Sequence, residues 1–169
     1  MRRLLLLLLA VGLVSGLVVA SGIGSFGGPP SVRATADAGG ATVLNPFPNA
    51  SLANTVTYVH VGERSDDPVA VAVLNDGATR SVPTTIRHEP SNETVSDRRI
   101  RLPQSASAVV LFHTPAEYRV TIRTEKGPSA LVIDRTAFDC NDRTLGLVVG
   151  PDGNTTELGI STSMDCGGV

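Results

Sequence analysis

Tyr118-Arg119-Val120-Thr121-Ile122-Arg123-Thr124 alternates without a break: Tyr118, Val120 and Ile122 fall on one side of an extended chain, Arg119, Thr121 and Arg123 on the other. A strand patterned in this way lies on a core with one face and meets water with the other. Working outward, short runs of related character recur at Thr55 to Val61, Val69 to Leu74, Thr79 to Arg87, Ala108 to His113, Ala130 to Ile133, Leu145 to Val149 and Glu157 to Ser161. Turn residues separate them at the spacing of a β-sandwich or small barrel, and no amphipathic helix follows residue 25. The expected fold is an all-β sandwich of about 7–9 strands over residues 54–169.

Local turn chemistry adds detail. Asn75-Asp76-Gly77 after the Val69 run predicts a hairpin, because these residues tolerate the positive φ angles that tight turns require. Pro83 has no N–H to give a ladder, which predicts that its strand is at an edge or bulged. The runs Leu145 to Val149 and Glu157 to Ser161 are symmetric about Gly153, and so are Cys140 and Cys166. The spacing predicts a hairpin turning through Pro151-Asp152-Gly153-Asn154 with the cysteines facing each other beyond its open end. In an oxidising compartment a Cys140–Cys166 disulfide would stabilise the fold by about 3–4 kcal/mol.

The compartment is read from the other end. Arg2-Arg3 leads into a charge-free stretch from Leu4 to Ala20, and no charge returns until Arg33. A basic start stays inside while the apolar run enters the bilayer, so the chain beyond faces outward. Residues 1–24 are either a retained anchor helix, as the length of the run favours, or a signal peptide cut after Val18-Val19-Ala20. The first case gives a cell-membrane protein with its domain outside, the second a secreted one. Residues 25–53, rich in glycine, proline and alanine, read as a flexible linker, with Phe47 the place where it would first meet the domain.

Composition excludes some functions and leaves others open. With 14 basic residues, 16 acidic ones and a net charge of −2, the chain has no overall basic character for a nucleic-acid partner. Arg98, Arg99 and Arg101 form the densest basic patch, open either to anionic headgroups and acidic envelope glycans or to solvent alone. Two tyrosines, four phenylalanines and no tryptophan offer little for stacking sugars, so Tyr58, Phe112, Tyr118 and Phe138 are assigned to the core. No catalytic motif occurs, and no cofactor is implied. His60, His88 and His113 stand apart in sequence, although His60 and His113 could converge across a sheet. Asp139, Asp142 and Asp152 lack the close spacing of a calcium loop and read as turn residues. Asn49, Asn92 and Asn154 open acceptor sequons, each placed in linker or turn where a glycan would not disturb packing.

The order of these pieces resembles immunoglobulin-like β-sandwich domains of secreted and membrane-tethered proteins of halophilic archaea, most of them without assigned activity. Arg64-Ser65-Asp66-Asp67 before Val69-Ala70-Val71-Ala72-Val73, the Asn75-Asp76-Gly77 turn, Ala116-Glu117-Tyr118-Arg119-Val120 and the cysteine hairpin carry the resemblance, over about residues 53 to 166. Ala116 replaces a glycine common in such domains, and Pro103-Gln104 a Pro-Gly turn. The resemblance implies that Tyr118 opens the F strand and bonds back to the preceding corner. The expected function is a non-enzymatic envelope domain with a structural or interaction role and an unidentified protein or envelope partner, held to the membrane by the N-terminal helix if uncleaved. The alternative is a small metal- or ligand-binding accessory protein of a membrane enzyme or transporter, with His60, His113 or the hairpin aspartates as ligands.

Overall fold

The computed structural model describes residues 28–65 and 67–163. They form ten strands: β1 (Val32–Thr35), β2 (Thr55–Val61), β3 (Val69–Asn75), β4 (Arg80–His88), β5 (Glu93–Leu102), β6 (Ser107–Phe112), β7 (Tyr118–Thr124), β8 (Gly127–Ile133), β9 (Arg143–Val149) and β10 (Thr155–Ser161). One sheet has the order β1-β2-β6-β3-β9-β10, the other β5-β4-β7-β8. The fold is an all-β sandwich with more strands than expected. β1 lies inside the stretch read as linker. β5 was masked by its arginines and by a register shift between Ile86 and Arg87 of its partner, which breaks the period of two.

Alternation decides which side chains enter the core. Val69, Val71 and Val73 of β3, Val110 and Phe112 of β6, Ile86 of β4 and Tyr118, Val120 and Ile122 of β7 meet between the sheets. The small partners of the β3 valines, Ala70 and Ala72, point the other way with Leu74, Val109 and Leu111, and are buried as well. The six-stranded sheet is therefore apolar on both faces at its centre. β2 runs parallel to β6 and β3 parallel to β9, consistent with strands covered on both sides.

The cover is the supposed linker, and here the reading of 25–53 as a flexible tether is corrected for the residues described. Phe47 is buried against Ala70, Ala72, Leu74, Val109 and Leu111, with Ala41, Val43, Ala50 and Leu52 packed around it. Gly146 in β9 makes this approach close: a Cβ there would lie 2.9 Å from Phe47 Cε1 and 3.0 Å from Pro46 Cγ. A low-complexity composition misled because alanine, proline and glycine suit a segment that must lie flat on a sheet.

Two further expectations change. Asn75-Asp76-Gly77 is not a hairpin turn, since β3 already has β6 and β9 as neighbours and the chain crosses to the other sheet. The buried Asn75 amide holds that crossing, donating to the carbonyl oxygens of Ala78 at 2.9 Å and of Leu102 and Pro103 at 3.0 Å. Pro83 is in an interior strand, not at an edge, although the β4–β5 ladder does carry a register shift, between Ile86 and Arg87. Pairing of β4 with β7 begins at Thr84, so Pro83 stands beyond the end of that ladder. The β9–β10 hairpin does form, but its partnered pairs are centred on Asp152 rather than Gly153. Cys166 and the apolar run Leu4 to Ala20 lie outside the described residues, and with them the disulfide and the N-terminal helix. Among the described residues no helix is long and apolar enough to cross a membrane.

Candidate functional site: a histidine relay under the N-terminal segment

β2 alternates Val59 and Val61 into the core, which turns His60 to the covered outer face; His113, just after β6, emerges on the same side. The structure brings them together. His60 Nδ1 lies 3.0 Å from His113 Nε2, with the residues 1% and 6% exposed. The rings are inclined by only 5° with centroids 5.3 Å apart. Since that separation is the N···N distance plus two ring radii, the imidazoles lie end to end in one plane, not face to face.

A backbone amide fixes the proton positions. The Ser65 N–H donates to His113 Nδ1 at 3.1 Å, so that nitrogen carries a lone pair and the neutral ring has its proton on Nε2. That proton is donated to His60 Nδ1, leaving the His60 proton on Nε2, 2.9 Å from Thr35 Oγ1. Thr35 in turn donates to the Asp37 carbonyl at 2.6 Å. A single direction of donation thus runs from the β2–β3 connection through both histidines to the segment after β1. All four ring nitrogens have partners, as buried polar atoms require.

The relay suits neutral rings only. A proton added to His113 Nδ1 would face the Ser65 N–H, and one added to His60 Nδ1 would face the His113 donor. Burial holds both histidines below the ordinary 6.5; at His113 the neighbouring His60 adds to the effect, and the Arg64 and Arg33 guanidiniums lower both further. The nearby glycines fit this crowding. Gly62, at φ +92°, brings its N–H within 2.8 Å of the Ser31 carbonyl, and a Cβ there would sit 2.1 Å from Thr114 Oγ1.

The remaining expected residues are placed as follows. Tyr118 is fully buried and donates to the Thr114 carbonyl at 2.9 Å, while burial pushes its phenol up to about 12. His88 is apart from the relay, bonded through Nδ1 to Ser91 Oγ at 2.8 Å. Asp139 and Asp152 accept the N–H groups of Asn141 and Asn154, which lowers their carboxyls. β9, seven residues or about 23 Å long, separates Asp142 from Asp152. Among the described residues no three potential ligands gather to hold a metal. Asn49, Asn92 and Asn154 are all exposed outside strands. Arg98, Arg99 and Arg101 lie on β5, and Cys140 lies just before β9. The roles of Thr35 and Ser65 left no sequence signal: Thr35 lies 25 residues before His60, and Ser65, though only five residues after it, bonds His113, 48 residues further on.

No protein-family model matches the chain, and no curated protein is similar to it. Among solved structures, sea bream transthyretin in complex with thyroxine superposes with a TM-score of 0.38 at 15% identity, covering 58% of this chain and 98% of that one.

Proposed function

We propose that the chain is a non-enzymatic extracytoplasmic domain with a structural or interaction role, either tethered by the Leu4–Ala20 run or secreted after its removal. The observation that carries this reading is the sequence Arg2-Arg3 followed by that charge-free run, a few residues before a segment built into the sandwich. The relay supports a structural role for its histidines, since their hydrogen bonds join two parts of the domain. An immunoglobulin-like ancestry is favoured by three features: β5-β4-β7-β8 matches the C′-C-F-G order, the β3–β6 pair matches B–E, and the Tyr118–Thr114 bond matches a tyrosine corner. The parallel β2–β6 pair and the appended β9–β10 hairpin depart from that order.

Intact mass of the protein from membrane and culture fractions, with and without reduction, tests the proposal. A chain starting near Met1 in the membrane, or near Ser21 in the medium, with Cys140 and Cys166 joined, is the expected result. Full-length protein in the cytosol with two free thiols would overturn it.

The convergence of His60 and His113 favours a second reading, a metal-binding accessory protein. Two metal–nitrogen bonds of about 2.0 Å need their nitrogens about 3.3 Å apart in a tetrahedral site. At 3.0 Å the pair would have to part and lose its shared proton. Zinc or copper raising the melting temperature, with loss of that rise in His60→Ala, would establish this reading; no shift with either ion would remove it.

A further inference from the structure

The outer face of the four-stranded sheet has no cover among the described residues, and its chemistry is specific. The outward positions of β4 are Ser81, Pro83, Thr85 and Arg87; those of β7 are Arg119, Thr121 and Arg123. Register places Arg87 beside Arg119, Thr85 between Thr121 and Asp97, Pro83 beside Arg99 and Ser81 beside Arg101. Five guanidiniums therefore share one face with a single strand carboxylate, Asp97, in a chain whose net charge is −2. Arg119 bonds Glu89 at 2.8 Å from the adjoining turn, while Arg87 is half-buried and its Nε is buried without a hydrogen-bond partner. Like charges directly opposite one another in a sheet are destabilising. Glu89 offsets one charge of the Arg87–Arg119 pair, and the exposed Arg99, Arg101 and Arg123 leave the face with an excess of positive charge suited to an external anion.

We propose that this face binds a linear acidic polysaccharide, its carboxylate or sulfate groups on Arg87, Arg99, Arg101, Arg119 and Arg123. Planar guanidiniums match such groups with paired hydrogen bonds. Ser81, Thr85 and Thr121 lie between them as small hydroxyls for sugar oxygens. Arginines two and four positions apart on a strand stand about 7 and 13 Å apart, a spacing for an extended polymer rather than a compact ligand. The face continues at the β5 edge into a groove of about 440 Å³, with Arg98 and Ile100 on one side and Val56 and Thr57 on the other. A bilayer is a poorer match, because Val132 on the face and Val56 in the groove are the large apolar side chains exposed to it there among the described residues. The inference deepens the extracytoplasmic reading and rests on it for the source of the polymer.

The test uses the full chain in non-ionic detergent, with polygalacturonate and dextran sulfate as probes and neutral dextran as reference. Both acidic polymers should bind and neutral dextran should not, with affinity falling as salt rises. Arg99→Gln with Arg119→Gln should weaken binding at least tenfold, while Arg33→Gln with Arg143→Gln, on the other sheet, should change it less than twofold. Melting curves check that both double variants are folded. No binding at low salt, no salt dependence, or equal losses in the two double variants would overturn the inference. So would tighter binding to anionic vesicles or duplex DNA, which would identify that partner instead. Location is read separately by fractionation: an external protein that fails to bind overturns this inference alone, and a cytosolic one overturns the proposed function whatever it binds.

Discussion

The two outer faces of the sandwich are built on opposite rules. Behind the six-stranded sheet, alanines of β3 and aliphatic residues of β6 are sealed by the segment around Phe47. Behind the four-stranded sheet, arginines and threonines stand open. The difference is already present in the strands: β3 is buried at all seven positions, whereas β7 buries every second residue. A strand apolar on both sides needs a second layer. Where no further sheet or helix supplies one, a proline- and glycine-rich stretch can do so, at the expense of its freedom as a tether.

The largest expected effect comes from removing that cover. Phe47→Ala should destabilise the domain by about 3 kcal/mol or more, in the range of buried aromatic truncations. Arg123→Ala, outward on the bare face, should stay within about 0.5 kcal/mol. Urea unfolding of the two variants measures the contrast directly, and similar losses would break it. Gly62→Ala should follow at about 2 kcal/mol, because a side chain at φ +92° is strained and its Cβ would collide with Thr114. A wild-type unfolding midpoint in that variant would show that the connection at the end of β2 can shift away.

The edge of the cover is pinned by the histidine relay, which makes the covered face the acid-sensitive one. Both histidines have folded-state values below the 6.5 of the unfolded chain, so beneath 6.5 the folded protein binds fewer protons than the unfolded one. Their contribution is complete above 6.5 and is lost as pH falls through that value toward the folded ones. The groups facing the pair set the balance: Arg33 and Arg64 oppose protonation, and Asp37 favours it at His60. Melting temperature should fall between pH 7 and pH 5, with amide exchange rising first in residues 31–39 and 62–65. His60→Gln with His113→Gln should flatten that slope, and an unchanged slope would place the acid sensitivity elsewhere.

How far the sequence revealed this depends on which interactions are local. β2 and β7 were legible to the residue, since alternation is a property of neighbours along the chain. Tyr118 was legible too, as the opening residue of a strand after a corner. Sheet membership was not: Asn75-Asp76-Gly77 signals a reversal of direction, but whether β4 returns beside β3 or crosses over depends on neighbours contributed by residues 107–112 and 143–149. The meeting of His60 and His113 was open to expectation as a convergence across a sheet, but the partners Thr35 and Ser65 were hidden for the same reason, since each bonds a histidine 25 or more residues away. β5 was obscured by charge, because an edge strand on a basic face has few apolar residues to mark its period.

The smallest expected effect sharpens the comparison from the bare side. Arg87→Thr removes one of two guanidiniums held opposite each other, and threonine suits an outward strand position. Unfolding in low salt should show the variant equal to wild type or more stable by a few tenths of a kcal/mol, a difference that shrinks as salt screens the pair. On the covered face the buried outward positions Ala70, Ala72, Val109 and Leu111 would not tolerate such an exchange of chemistry. A loss of about 1 kcal/mol or more would mean that the Arg87 stem packs on the sheet as a cover of its own, and the two faces would then differ in degree and not in kind.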